Sequence, residues 1–250
     1  MASTGAESGP AWSPDGKRIA FSRTNGGTGY DTGADIFVVD ADGSGETQLT
    51  SSPSQGLVPS WSPDGSRLVW EVRDKNYPGG CGQNPATATI QTFELWVMNA
   101  DGSGKRQLTP SGDPCESTPD WSPDGKRILY VEWSTTQDGD DQNVAAVGAD
   151  GTGHAVLINS AGRFSPDHPV WSPDGASVAF FSVAYYGKSP NGLFIVPVAG
   201  GQPTRILPYG YGALGWGPAQ APVVKPKAKK PPLCKKGQRS TKKKPCRKRK

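Results

Sequence analysis

The sequence is poor in the residues that most enzyme chemistry needs. It holds two histidines, His154 and His168, and two methionines among 250 residues. It has no G-x-S-x-G elbow, no H-E-x-x-H and no glycine-rich phosphate loop ahead of a helix. Helical stretches are missing too, because 33 Gly and 24 Pro interrupt almost every window that could sustain a 3.6-residue period. That excludes helical repeats. No apolar run is long enough to cross a bilayer as a helix. Met1–Gly9 has neither a basic n-region nor an apolar h-region, so no signal peptide is visible.

What the sequence does have is repetition. Trp-Ser-Pro-Asp-Gly occurs four times, built on Trp12, Pro14, Asp15 and Gly16; Trp61, Pro63, Asp64 and Gly65; Trp121, Pro123, Asp124 and Gly125; and Trp171, Pro173, Asp174 and Gly175. A degraded fifth copy at Leu214–Pro218 keeps Trp216. Successive tryptophans lie 49, 60, 50 and 45 residues apart, a period that marks a repeat architecture. Proline has its φ preset, Asp caps locally and Gly accepts positive φ, so each motif reads as a tight hairpin turn. A short apolar run follows each turn: Ile19–Phe21, Leu68–Trp70, Ile128–Val131 and Val178–Phe181. Next comes a second apolar run, such as Ile36–Val39, then a glycine turn and a short polar strand. Four short antiparallel strands per repeat predict propeller blades. Runs that are apolar on both sides suit a sheet sandwiched between two neighbours.

These residues resemble the WD40-like Pro-Asp repeat of the TolB-type β-propeller family. Pro10–Phe21 with Leu49-Thr50, Pro59–Trp70 with Leu108-Thr109, Pro119–Tyr130 and Pro169–Phe180 all carry the pattern. The resemblance implies a propeller used for protein contacts in the bacterial cell envelope, periplasmic or extracellular. Propellers of that family usually have six blades and a separate N-terminal domain. This chain encodes four blades, about 10–50, 59–109, 119–159 and 169–207, and a partial fifth at 213–218. We expect an all-β propeller of those blades in an open or incomplete ring, with 1–9 as a lead-in and 219–250 as a disordered tail. A truncated reading frame, with a signal peptide and further blades upstream, would account for the abrupt start.

Charge is strongly partitioned. Residues 225–250 hold 14 Lys and Arg and no acid, whereas the rest holds 13 basic residues against 23 acidic ones. The tail has almost nothing apolar to bury and reads as unfolded. It is either a solvated, self-repelling segment or an arm for anionic polymers or lipid headgroups; no specific nucleic acid is predicted. Cys234 and Cys246 lie in it, in a stretch that resembles the lysine-rich two-cysteine tails of some exported bacterial proteins. Cys81 lies in the insertion Arg73–Thr92, and Cys115 in the connection that follows the same repeat. Propeller topology brings both loops to one face, so a Cys81–Cys115 bridge is allowed; two separate buried thiols are the alternative.

No cofactor or metal is implied. Asp138–Asp141 offers hard oxygen ligands, but it lacks EF-hand spacing and reads as an exposed acidic loop. The four turn aspartates need no explanation beyond their turns, and the tryptophans read as inter-blade packing. The insertions between second and third strands vary in length and carry Tyr30, Tyr77, Tyr185 and Tyr186. Variable loops with aromatics on a rigid scaffold are candidates for a partner-binding face. A non-enzymatic interaction scaffold is therefore the leading reading. The alternatives are a hydrolase or lyase with paired carboxylates in the channel, and a polyanion binder acting through the tail.

Overall fold

A computed structural model describes residues 5–26, 33–51, 55–73, 82–84, 89–91, 93–110, 115–136, 139–161, 163–182 and 191–208. Every regular element among them is a strand. Blade one comprises β1 (Glu7–Trp12), β2 (Arg18–Thr24), β3 (Ala34–Asp40) and β4 (Thr47–Gln48). Blade two comprises β5 (Gln55–Trp61), β6 (Arg67–Arg73), β9 (Phe93–Asn99) and β10 (Arg106–Gln107). A separate two-stranded ribbon, β7 (Gly82–Asn84) and β8 (Thr89–Gln91), lies within the Arg73–Thr92 insertion. Blade three comprises β11 (Glu116–Trp121), β12 (Arg127–Thr136), β13 (Gly139–Gly148) and β14 (Ala155–Ile158). Blade four comprises β15 (Pro166–Trp171), β16 (Ser177–Ser182), β17 (Gly192–Pro197) and β18 (Thr204–Leu207). Each blade is an antiparallel meander in chain order, and a single parallel bridge, Ala34 to Gln55, links blade one to blade two.

The repeated turn explains the regularity. In blade one the Gly16 N–H donates to the Ser13 carbonyl at 2.9 Å, and Gly16 sits at φ 70°. Ser13 Oγ donates to Asp15 Oδ1 at 2.7 Å and accepts the Arg18 N–H at 2.9 Å, while the Lys17 N–H reaches the same carboxylate oxygen at 3.1 Å. The set recurs around Ser62 and Asp64, Ser122 and Asp124, and Ser172 and Asp174. Hydrogen bonds to these carboxylates hold them below the usual range, Asp64 at about 2 with Ser62 as the leading donor. Asp101 and Asp150 perform a similar service in the turns after the third strands of blades two and three.

Between the blades, the apolar faces interdigitate. Ala20, Ile36, Val38 and Leu49 of blade one pack on Trp61, Leu68, Trp70 and Met98 of blade two. Blades two and three meet through Val69, Leu95, Val97 and Leu108 against Trp121, Ile128 and Tyr130. Leu129, Val144 and Ile158 repeat the pattern against Trp171, Phe180 and Phe194. At each junction an arginine just beyond the Pro-Asp turn lays its guanidinium over the next blade's tryptophan: Arg18 on Trp61 at 4.7 Å, Arg67 on Trp121 at 4.6 Å, and Arg127 on Trp171 at 4.6 Å. Trp61 Nε1 also donates to the Ala11 carbonyl at 3.1 Å.

A half-desolvated guanidinium over an indole contributes about 1–2 kcal/mol, and its methylene stem adds packing. Arg127→Ala is therefore expected to lower unfolding stability by about 1–2 kcal/mol in urea melts. Arg127→Lys should recover only part of that, because an ammonium lacks the planar stacking surface. Equal stability of Arg127→Ala and the parent would show that the stacking is incidental.

Candidate inner-strand site

The first strands β1, β5, β11 and β15 contact one another in succession, as strands around a propeller axis do. Each is bulged at the same place: the pairing register shifts between Ser8 and Ala11, Leu57 and Ser60, Ser117 and Asp120, and Asp167 and Val170. The bulged residue adopts left-handed φ in every copy: Gly9 at 58°, Val58 at 48°, Thr118 at 52° and His168 at 48°. Glycine accepts this without cost, whereas β-branched Val58 and Thr118 are strained there. Proline follows at each position, which fixes the chain as it leaves the bulge. Bulges re-aim side chains, so this strain sits where a site would be built.

Around the bulges of blades three and four lies a charged cluster. Glu71 on β6 is buried, and desolvation pushes its carboxyl up to about 7. Arg73 Nη2 at 3.9 Å, the Thr118 backbone N–H and His168 act against that shift, while Asp167 adds to it. His168 Nδ1 lies 2.9 Å from Asp167 Oδ1, and this hydrogen bond leads the rise of the imidazole above its ordinary value. Asp120 sits one residue before Trp121 and is half-buried as a residue, but its carboxylate is sunk against blade four. Its Oδ2 accepts the Trp171 N–H at 3.0 Å, and desolvation pushes it up to about 7. Elsewhere Glu132 lies 2.6 Å from His154 Nε2, and Glu116 accepts a hydrogen bond from Thr109 Oγ1. The cluster thus joins an acid that is half protonated near neutrality, a histidine oriented by a carboxylate, and a guanidinium. No group of three or more His, Cys, Asp or Glu with metal-binding geometry occurs among the described residues.

Residue type and spacing single out His154 and His168 but do not connect His168 to Glu71. A signal was available. Glu71 interrupts the apolar run Leu68–Val72, and Gly9, Val58, Thr118 and His168 occupy one repeat position, three residues before each tryptophan. Of the predicted residues, Asp15, Asp64, Asp124 and Asp174 sit in the turns described above. Cys115 is buried at the head of β11. Cys81, Cys234, Cys246, Trp216, Tyr30, Tyr77, Tyr185 and Tyr186 lie outside the described residues. Ser134–Asn143, read from sequence as a loop, is largely a hairpin in which β12 and β13 stay paired from Arg127 with Gly148 out to Thr136 with Gly139. Asp140 and Asp141 belong to that ladder.

The repeated blade and its Pro-Asp turn define a WD40-like β-propeller. In fold the chain is a TolB-like propeller. The Tol-Pal system protein TolB of Polaromonas is 41% identical over 49 residues, which cover 20% of this chain and 11% of that protein. An uncharacterized protein of Agrobacterium fabrum is 27% identical over 182 residues, covering 68% of this chain and 52% of its own. The chain therefore spans about half or less of the length of these curated relatives. Among solved structures, TolB from Acinetobacter baumannii superposes with TM-score 0.58 at 19% identity, over 83% of this chain and 45% of that one. An oligogalacturonate lyase solved with manganese superposes with TM-score 0.61 at 14% identity, over 83% and 55%. No protein-family model matches the chain.

The raised groups set a pH dependence. Glu71 and Asp120 bind protons more tightly when folded, so the folded state holds more protons between about pH 4 and pH 7, and stability falls as pH rises through that window. His168, also raised, contributes stability that is present at acid pH and lost as pH climbs through its folded value, in the same direction. The protein should melt higher at pH 5.5 than at pH 8, values chosen about one unit either side of neutrality. Glu71→Gln should flatten that difference, by up to about 2 kcal/mol. A variant whose melting profile tracks the parent across this range would contradict the assignment.

Proposed function

We propose that the chain is a non-enzymatic interaction scaffold of the bacterial cell envelope, binding a protein partner on the face formed by the loops between second and third strands. The reading is supported chiefly by the likeness to TolB in repeat and fold. The blades themselves support it too. Their strands keep constant turns and constant packing, while the connections between second and third strands range from a tight link in blade three to nearly twenty residues in blade two. Immobilised full-length chain is expected to retain a saturable protein from an envelope extract. Substituting Tyr185 and Tyr186 to Ala should weaken that capture about tenfold or more. Capture that the double variant leaves unchanged would move the partner off this face, and no saturable capture at all would defeat the scaffold reading.

One observation favours a second reading. Glu71, protonated in part at neutral pH, lies beside a His168–Asp167 pair and the Arg73 guanidinium. An acid, an oriented base and a cation together suit proton transfer on an acidic polymer. Oligogalacturonate lyase shares the fold. Oligogalacturonate incubated with the chain would then yield unsaturated ends detectable by ultraviolet absorbance, and His168→Ala would lower the rate about a hundredfold or more. Absence of product, or full rate in the variant, would end this reading.

A further inference from the structure

The end blades expose the two halves of an interface that the chain builds three times internally. On the leading side, Trp61, Trp121 and Trp171 are 6%, 5% and 4% exposed, whereas Trp12, their counterpart in blade one, is 59% exposed. On the trailing side, Leu49, Leu108 and Ile158 are buried under the next blade, whereas Leu207 of blade four is 51% exposed. Register fixes that equivalence: Leu207 pairs with Leu193 as Ile158 pairs with Val144. Leu193 and Ile195 are only half-buried, although Val144 and Ala146 at the same positions of blade three are fully buried. Among the described residues, no strand of blade four packs extensively on blade one.

The polar part of the inner interface is not carried over to the ends. At the junction of blades two and three, Arg106 on the outer strand reaches the Ala149 carbonyl at 2.6 Å and the Asp150 carbonyl at 3.4 Å. Thr204 holds the matching position on β18, because it pairs with Ile195 as Arg106 pairs with Val97; Arg205 pairs with Phe194 and donates to the Asn191 and Pro208 carbonyls. Ala41 and Asp42 are the blade-one counterparts of Ala149 and Asp150: the Ala41 N–H bonds to the Lys17 carbonyl as that of Ala149 does to Lys126. Two contacts are missing: Thr204 carries no guanidinium for that turn, and Ser177 stands where Arg18, Arg67 and Arg127 supply the guanidinium over tryptophan. The outward junction is therefore a weaker version of the inner one, suited to reversible association.

We propose that a second copy of this chain occupies these faces head to tail, with blade four of each copy against blade one of the other. Leu207 and Ile195 meet the Trp12 face. Two copies satisfy both faces at once, and their eight described blades fall within the usual propeller range of about 4–8. A heterologous contact that closes in this way leaves no free face, whereas one that fails to close grows into open chains.

Sedimentation of the full-length chain over a concentration series tests this, run in high salt to suppress association through the basic tail. The expected result is a monomer–dimer equilibrium. Trp12→Glu and Leu207→Asp change exposed side chains, so both should fold with parental melting temperatures. Each alone should weaken the dimer about tenfold or more. Mixing the two variants should restore association, because Trp12→Glu keeps a sound trailing face and Leu207→Asp a sound leading face. A monomer at all concentrations, or a dimer that survives both substitutions, would overturn the proposal. Loss of the dimer in Trp12→Glu with full retention in Leu207→Asp would mean a head-to-head pair and would overturn it too, as would an unbounded ladder of oligomers.

Discussion

Everything in this molecule depends on the fact that a blade is apolar on both faces. A four-stranded sheet such as β11–β14 buries Ile128, Tyr130 and Val147 on one side and Leu129, Val144 and Ile158 on the other. A sheet of that composition cannot be stable with one face in water; each blade is a folding unit only in company. The stacked guanidinium and indole set the spacing at each junction. They sit at the end of the blade where the Pro-Asp turn emerges, so the same short sequence that makes the hairpin also delivers the arginine and the tryptophan to the contact. Turn and interface are specified by one motif, which is why four copies in register suffice to define the fold.

That economy has an electrostatic counterpart at the other end of the inner strand. The turn aspartates are exposed, receive several donors and stay ionised well into acid. Glu71 and Asp120 are held away from water, and their carboxyls rise instead. The same side-chain type is thus driven in opposite directions within one repeat, and solvent access decides which. A buried carboxylate lacking full compensation is costly to keep ionised. In a chain with little other chemistry, that cost concentrates attention on the inner-strand bulges.

Much of the fold was legible because its determinants are local. Trp-Ser-Pro-Asp-Gly announces its turn by residue type, and the runs Ile36–Val39 and Leu193–Val198 announce doubly covered strands by lacking polar alternation. The hairpin of β12 and β13 was missed because Ser134, Thr135, Asp140 and Asp141 are polar and carry a glycine between them. The ladder continues there through backbone pairing that residue type does not encode. The cluster at Glu71 was missed for another reason. Its members come from blades two, three and four, so no spacing along the chain relates them. Their meeting depends on a bulge whose left-handed residue is glycine only in the first copy. Had Thr118 and His168 also been glycine, the bulge would have been readable, but the side chains of the cluster would be gone.

The end faces follow from the same constraint as the core. If a blade needs cover on both sides, the demand does not stop at the first and last copies; it is passed to whatever stands beside them. Trp12 carries the full indole of an interior position and is 59% exposed, and β18 carries Leu207 at 51% exposed. Selection for solubility alone would place charge at such positions, as edge strands commonly do. Retaining apolar residues of interior type at both ends means that the repeat's own contact chemistry persists on the surface. The exposed face of an end blade therefore has the same chemistry as the buried junctions between blades.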